Sequence, residues 1–130
     1  MENSMIEKRG VYFCEKCKNL VESLWDGKPA ISCCGEPMTK LAENTTDAAT
    51  EKHVPVIEKD GNKVTVKVGE AAHPMTPEHF ILFIEVITAD KVYRHEFKEG
   101  DTVAEATFII DEPIIKAREY CNLHGLWATS

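Results

Sequence analysis

No stretch of this 130-residue chain approaches the ~18 consecutive apolar residues that a membrane-spanning helix needs. The sequence therefore predicts no span and no membrane partner. The opening residues predict no signal peptide either. Met1-Glu2-Asn3-Ser4-Met5 is polar, with neither a basic start nor an apolar stretch behind it, which points to the cytoplasm. Basic residues are not in excess. The formal charge is −7, whereas a nucleic-acid partner requires a basic face. Internal repeats and low-complexity tracts are absent. Cysteines are few and odd in number, at five. In a chain without a secretion signal, that favours metal ligation or a reactive thiol over disulfides.

What is present is ordinary for a globular chain: 43% hydrophobic and 28% charged residues. The length fits one domain, or one of about 85 residues with a small appendage. The charge is uneven, about −1 over residues 1–44 and −6 over residues 45–130. A lone basic residue near a site in the second part would stand out locally.

Residues 1–9 read as a loose polar arm. Val11-Tyr12-Phe13 is a short strand leading into Cys14-Glu15-Lys16-Cys17, and Leu20 to Leu24 is another. Asp26-Gly27-Lys28-Pro29 reads as a turn, and Ala30-Ile31-Ser32 leads to Cys33-Cys34-Gly35. The stretch Ala42 to Thr50, rich in Thr, Ala and acidic residues, reads as a linker. From residue 54 the pattern turns to β. Val54, Val56, Val64, Val66 and Val68 alternate with polar residues, and Asp60-Gly61-Asn62 is a hairpin signal. Phe80 to Ala89 predicts a central strand, followed by Val92 to Phe97, Ala106 to Ile110 and Ile114 to Tyr120. The last run has helical propensity, but its period-two neighbours favour a strand. About six or seven strands at this spacing predict an antiparallel sandwich.

Cys14-x-x-Cys17, followed by Cys33-Cys34, supplies four thiolates from two short loops, the logic of a tetrahedral site for zinc or iron. The adjacent second pair predicts a distorted tetrahedron, with Gly35 relieving the backbone. A unit of about 40 residues cannot bury enough core to fold alone, so a structural metal staple is the plain reading. A closed site of four thiolates has no open position, which leaves it structure or one-electron transfer.

Cys121-Asn122-Leu123-His124 places a thiol and an imidazole three positions apart. Further ligands have to come from His53, His73, His79 and His95. Any one of these, alone, is more often an ordinary polar residue. His53, His73, His79 and His124 sit at expected strand ends or turns, where loops at one end of a sandwich assemble sites. His95 lies mid-strand and reads as a solvated face residue. Four imidazoles and one thiolate exceed the four ligands of structural zinc and suit iron or copper, with one octahedral position open for chemistry. If His53 is a ligand, Glu51 and Lys52 are tethered beside the metal, a carboxylate able to cap a ferric ion and an ammonium able to attract a small anion. Without it they are an ordinary charged pair in a linker.

On these pieces the chain resembles desulfoferrodoxin, the two-domain superoxide reductase family. The resemblance rests on Cys14-x-x-Cys17…Cys33-Cys34, Glu51-Lys52-His53-Val54-Pro55-Val56, Ala72-His73-Pro74-Met75 with His79, and Glu119-Tyr120-Cys121-Asn122-Leu123-His124-Gly125-Leu126-Trp127. It implies an all-β chain. A desulforedoxin-like domain over residues 1–41 would hold one iron on the four thiolates of Cys14, Cys17, Cys33 and Cys34, with zinc replacing iron in some preparations. A linker and catalytic loop would span 42–53, and an immunoglobulin-like β-sandwich 54–130. The second iron would take equatorial imidazoles from His53, His73, His79 and His124 and the axial thiolate of Cys121. Glu51 matches the carboxylate that binds oxidised iron, and Lys52 the lysine that assists catalysis. The implied reaction is one-electron reduction of superoxide to hydrogen peroxide, with re-reduction by an external donor such as a rubredoxin, in a homodimer. The rival expectations are a two-iron electron carrier without that activity and a metal-stabilised binding module.

Overall fold

The computed structural model describes residues 6–28, 30–46, 53–69 and 73–129, and contains no helix among them. The chain divides into two compact units, Met1–Ala42 and Glu43–Ser130.

The first unit contains β1 (Val11–Phe13), β2 (Leu20–Glu22), β3 (Ser32–Cys33), β4 (Glu36–Pro37) and β5 (Thr39–Lys40). One sheet runs β2-β1-β5, and β3 pairs with β4 as a separate hairpin. The second strand stops at Glu22, short of the predicted Leu24, because Ser23 turns the chain by accepting from Trp25 N through its hydroxyl. Among the described residues, the unit's buried apolar side chains are Ile6, Val11, Tyr12 and Cys14. Such a core is too small to hold the fold without cross-links or metal. Backbone fits compensate in part: Tyr12 Oη accepts from Glu7 N at 2.9 Å. A Cβ at Gly10 would lie 2.9 Å from both Glu7 O and the Tyr12 ring, so only glycine fits there.

The second unit contains β6 (Pro55–Asp60), β7 (Lys63–Val68), β8 (Ile81–Thr88), β9 (Val92–Glu96), β10 (Glu105–Ile109), β11 (Ile114–Cys121) and β12 (Gly125–Ala128). They form two antiparallel sheets, β10-β7-β6 and β12-β11-β8-β9. The alternating valines of β7, Val64, Val66 and Val68, meet Ile81, Ile84 and Val86 of β8 and Ala117 and Cys121 of β11 in one apolar cluster. This is sheet-on-sheet packing. Burying each of the larger aliphatic side chains contributes about 1.5–3 kcal/mol.

Two irregularities between β8 and β11 matter for the site. Cys121 pairs with Ile81 while Tyr120 pairs with Phe83, so Leu82 is an extra residue, pushed outward. The bulge resets the inward face from Ile84 to Ile81 and lets Cys121 enter the core opposite Ile81. At the other end Ile115 is skipped.

The outer face of β8 and β11 carries charge. Arg118, fully buried, donates to Glu85 Oε1 through Nε at 3.1 Å and Nη2 at 2.7 Å. Arg94 reaches Glu85 Oε2 at 2.8 Å. Glu43 accepts from Arg118 Nη1 at 3.1 Å and from Lys116 Nζ at 2.6 Å, which ties the start of the unit to the sheet. Asn44 extends that tie. Its N–H donates to Leu126 O, and its carbonyl accepts from Ala128 N, forming a parallel bridge to Trp127.

Candidate metal centres

In the first unit, Cys14 follows β1 and Cys17 lies within a tight turn closed by Lys18 N donating to Cys14 O at 2.7 Å. Cys33 ends β3, and Cys34-Gly35 are the two central residues of the hairpin to β4. Both have positive φ, 54° and 78°, as a type I′ turn demands. The adjacency of the two cysteines thus has a local cause. The turn sends Cys34 into the left-handed region, so its side chain can point back beside that of Cys33. Expected strain relief at Gly35 is only half of the arrangement, because Cys34 itself takes the disfavoured conformation.

The four sulfurs all lie within 4.8 Å of one another. Cys17 Sγ and Cys33 Sγ are 3.2 Å apart, and Cys33 Sγ and Cys34 Sγ 3.9 Å. Asn19 Nδ2 donates to Cys33 Sγ at 3.5 Å. So close a set cannot ionise independently. The backbone N–H of Cys17, donating to sulfur, pulls the Cys14 thiol down to about 6. Hydrogen bonds to Cys17 and Cys14 push Cys34 up to about 12, and Cys17 likewise raises Cys33. The metal-free cluster thus favours one thiolate beside thiols that resist ionisation, and a bound cation would favour loss of their protons.

In the second unit, His53 precedes β6, His73 and His79 flank the loop before β8, and Cys121 and His124 bracket the turn from β11 to β12. The rings form a closed cycle. Neighbouring centroids lie 4.8 Å apart for His53–His73, 4.6 Å for His73–His79, 5.1 Å for His79–His124 and 4.8 Å for His124–His53. Interplanar angles of 64–78° stand each ring edge-on to the next. Four imidazoles that meet in a closed cycle could direct their nitrogens at one ion. The donor atoms of His53, His79, Cys121 and His124 fall within 4.8 Å of one another, and His73 Nε2 lies 3.1 Å from His53 Nε2. Cys121 Sγ is 3.7 Å from His124 Nδ1 and rises from the apolar core, fully buried. His53 and His73 are buried, while His124 is exposed. The group is therefore closed on the thiol side and open near His124. His95 lies on β9, exposed, its ring against Phe97 at 4.7 Å.

Neighbouring groups orient these rings. His73 Nδ1 lies 2.7 Å from Pro74 O. A carbonyl only accepts, so Nδ1 carries the proton and Nε2 presents its lone pair toward His53. Such an outer hydrogen bond is what directs a metal-binding imidazole. Trp127 stacks on His53 at 4.8 Å and 17°, and its Nε1–H donates to His124 O at 3.0 Å. Asn122 donates through Nδ2 to Glu78 O at 3.0 Å and accepts through Oδ1 from Phe80 N at 2.8 Å. Reading the sequence for metal donors alone misses Trp127 and Asn122; their place inside the Cys121–Trp127 run is the available signal. Glu51 and Lys52 lie outside the described residues.

Both donor sets fit a metal by their chemistry. Four thiolates suit a tetrahedral zinc or iron ion, and four imidazoles with a thiolate suit a site with one free position.

These features define a class: an all-β protein with a four-cysteine group in one unit, and a group of four histidines and one cysteine at the end of an antiparallel sandwich in the other. Residues 45–130 match the family model described as desulfoferrodoxin, and residues 6–41 match that of the desulfoferrodoxin N-terminal domain. The chain belongs to the desulfoferrodoxin family. A desulfoferrodoxin of Syntrophotalea carbinolica is 54% identical over 125 residues, covering 96% of this chain and 98% of the relative. A superoxide reductase of Pyrococcus abyssi is 40% identical over 108 residues, 69% of this chain and 94% of the relative. The crystal structure of the superoxide reductase from Treponema pallidum superposes with a TM-score of 0.76 at 32% identity, covering 93% of this chain and 97% of that one.

Proposed function

We propose that this chain is a superoxide reductase. Its reaction takes superoxide, one electron and two protons to hydrogen peroxide. The observation that carries the reading is the closed cycle of four imidazoles with the Cys121 sulfur against it. His53, His73, His79, His124 and Cys121 would hold one iron ion. Cys14, Cys17, Cys33 and Cys34 hold a second iron. When bound, the iron of the histidine–cysteine site supplies the electron and an open position for the small anion.

The residues of the chain do the rest. The Cys121 thiolate, buried in the core, is the strongest electron donor of the set. His53 and His73, also buried, keep water from the inner side, while the exposed His124 edge admits substrate and releases product. Lys52 collects the anion against the −6 charge of residues 45–130, a local effect because screening confines it to about 10 Å. Glu51 would supply a carboxylate to the oxidised metal. Residues 1–41 form the four-cysteine domain, 42–53 the linker and catalytic loop, and 54–130 an immunoglobulin-like sandwich. Supporting that last assignment, the first, second and fifth strands of the sandwich form one sheet and the other four the second. A rubredoxin-like protein returns the electron, in the cytoplasm, to a homodimer.

Radiolytic pulses of superoxide test this reading. The ferrous protein is oxidised stoichiometrically, with peroxide formed and no oxygen evolved; no reaction sinks it in favour of an electron carrier. Lys52→Ala slows the reaction roughly 10-fold or more with both iron spectra intact. An unchanged rate refutes the role given to Lys52.

A further inference from the structure

Asn122 lies between two converging donors, Cys121 and His124, in the turn joining β11 to β12. Its side chain reaches across to the loop that carries His79 and bonds the backbone on both sides of that histidine. Nδ2 donates to Glu78 O at 3.0 Å, and Oδ1 accepts from Phe80 N at 2.8 Å. The main chain of Asn122 adds a third tie, its N–H donating to Phe80 O at 3.1 Å. The chain at Glu78 and Phe80 is thus docked, rung by rung, on the residue that follows Cys121.

The backbone at His79 comes from a short turn. Thr76–His79 closes on itself, through Thr76 N to His79 O and His79 N to Thr76 Oγ1. His79 belongs to no strand, since β8 begins at Ile81. His53 leans on Trp127, and His73 is oriented by Pro74 O. For the backbone flanking His79, the side-chain tie to the Cys121–His124 turn is the amide of Asn122. An amide of this length offers one donor and one acceptor in a plane, which is what two flanking backbone groups of opposite sense require.

We infer that Asn122 is a positioning residue that sets His79 relative to Cys121 and His124, and so determines how tightly the histidine–cysteine site holds its metal. This rests on the proposed reading of those residues as ligands. Losing such an outer contact lowers metal affinity by about 10- to 100-fold.

The experiment loads the full-length protein with iron, then follows loss of the thiolate-to-iron absorption of the histidine–cysteine site against a chelator. Absorption of the four-cysteine site in the same sample serves as an internal reference. Asn122→Ala loses the histidine–cysteine metal at least 10-fold faster than wild type with the four-cysteine bands unmoved. Asn122→Asp keeps the acceptor for Phe80 N but not the donor to Glu78 O, and falls between the two. It also serves if Asn122→Ala fails to fold. Glu78→Ala, which keeps the carbonyl that Asn122 uses, matches wild type. Amide exchange of the metal-free proteins supplies an activity-independent readout: Phe80 N–H exchanges faster in Asn122→Ala than in wild type. Equal metal loss and equal Phe80 exchange in wild type and both Asn122 variants overturn the inference while leaving the ligand reading intact. A wild-type protein that shows no thiolate-to-iron band from this site overturns the ligand reading, and the inference with it.

Discussion

Trp127 touches two of the converging imidazole residues at once, and its replacement separates packing from hydrogen bonding. Trp127→Phe keeps an aromatic ring against His53, now stacked at 4.8 Å, but removes the Nε1–H that reaches His124 O at 3.0 Å. His124 is exposed, so its freed carbonyl regains water. The net loss is therefore near the ordinary value for a hydrogen bond, about 1 kcal/mol, with a little more for the smaller ring. Trp127→Ala also removes a side chain that is only 8% exposed, and truncations of that kind cost about 3–5 kcal/mol. The assay is amide exchange of the β11–β12 hairpin in the metal-free protein, read through the Glu119–Trp127 pair, whose main-chain groups face each other across the two strands. A loss of about 1–2 kcal/mol speeds exchange by about 5- to 30-fold in Trp127→Phe, and by far more in Trp127→Ala. Metal loading then restores less protection in both variants than in wild type, because His124 loses its tie to Trp127 in both and His53 loses its stacking partner in Trp127→Ala. Exchange within about twofold of wild type in both variants would refute the claim that Trp127 braces the site.

Further outcomes follow from the charged groups. Arg118→Leu leaves Glu85, fully buried, with less compensation and costs about 3–5 kcal/mol in urea unfolding of the second unit, whereas Arg118→Leu with Glu85→Leu recovers most of it. A double variant as unstable as the single one contradicts this. In the metal-free four-cysteine cluster, thiolate absorbance rises in separated steps, the first near pH 6 and the last near 12, and metal uptake weakens below the first step as protons compete for Cys14; a single rise near the ordinary thiol value, about pH 8.5, is the refuting result. Glu43 behaves oppositely to a buried, unpaired acid. Burial raises it, but bonds from Lys116 and Arg118 outweigh burial and hold it below its usual value. Its contribution to stability is thus present above the ordinary carboxylate range and lost as pH falls through the lowered value, and Glu43→Gln abolishes that part of the acid sensitivity in an acid unfolding titration.

Several elements are legible in the sequence because the information is local. The alternation of Val64, Val66 and Val68 marks β7, and Asp60-Gly61-Asn62 marks the turn before it. The run from Ile114 is a strand, as its neighbours' period indicates, despite its helical propensity. Gly125–Ala128 carries no such mark. Four residues without alternation become β12 only because β11 lies beside them. The I′ turn at Cys34-Gly35 is half visible: glycine marks the bend, but the positive φ of Cys34 depends on the pairing of β3 with β4.

The chemistry on offer is written in the chain: which thiols and imidazoles exist, and that short spacings such as Cys14-x-x-Cys17 and Cys121-x-x-His124 bring donors near each other. Spacing works there because a few residues of chain cannot reach far. The order of the ring cycle comes instead from folding. His53 and His124 are 71 positions apart in the chain (124 − 53) yet adjacent in space, brought together by the stacking on Trp127 and the pairing of β12. Folding also turns Cys121 into the core through a bulge at Leu82, and sets Asn122 to grip the chain on either side of His79. Those relations are contacts between distant segments, and no local pattern of residues encodes them.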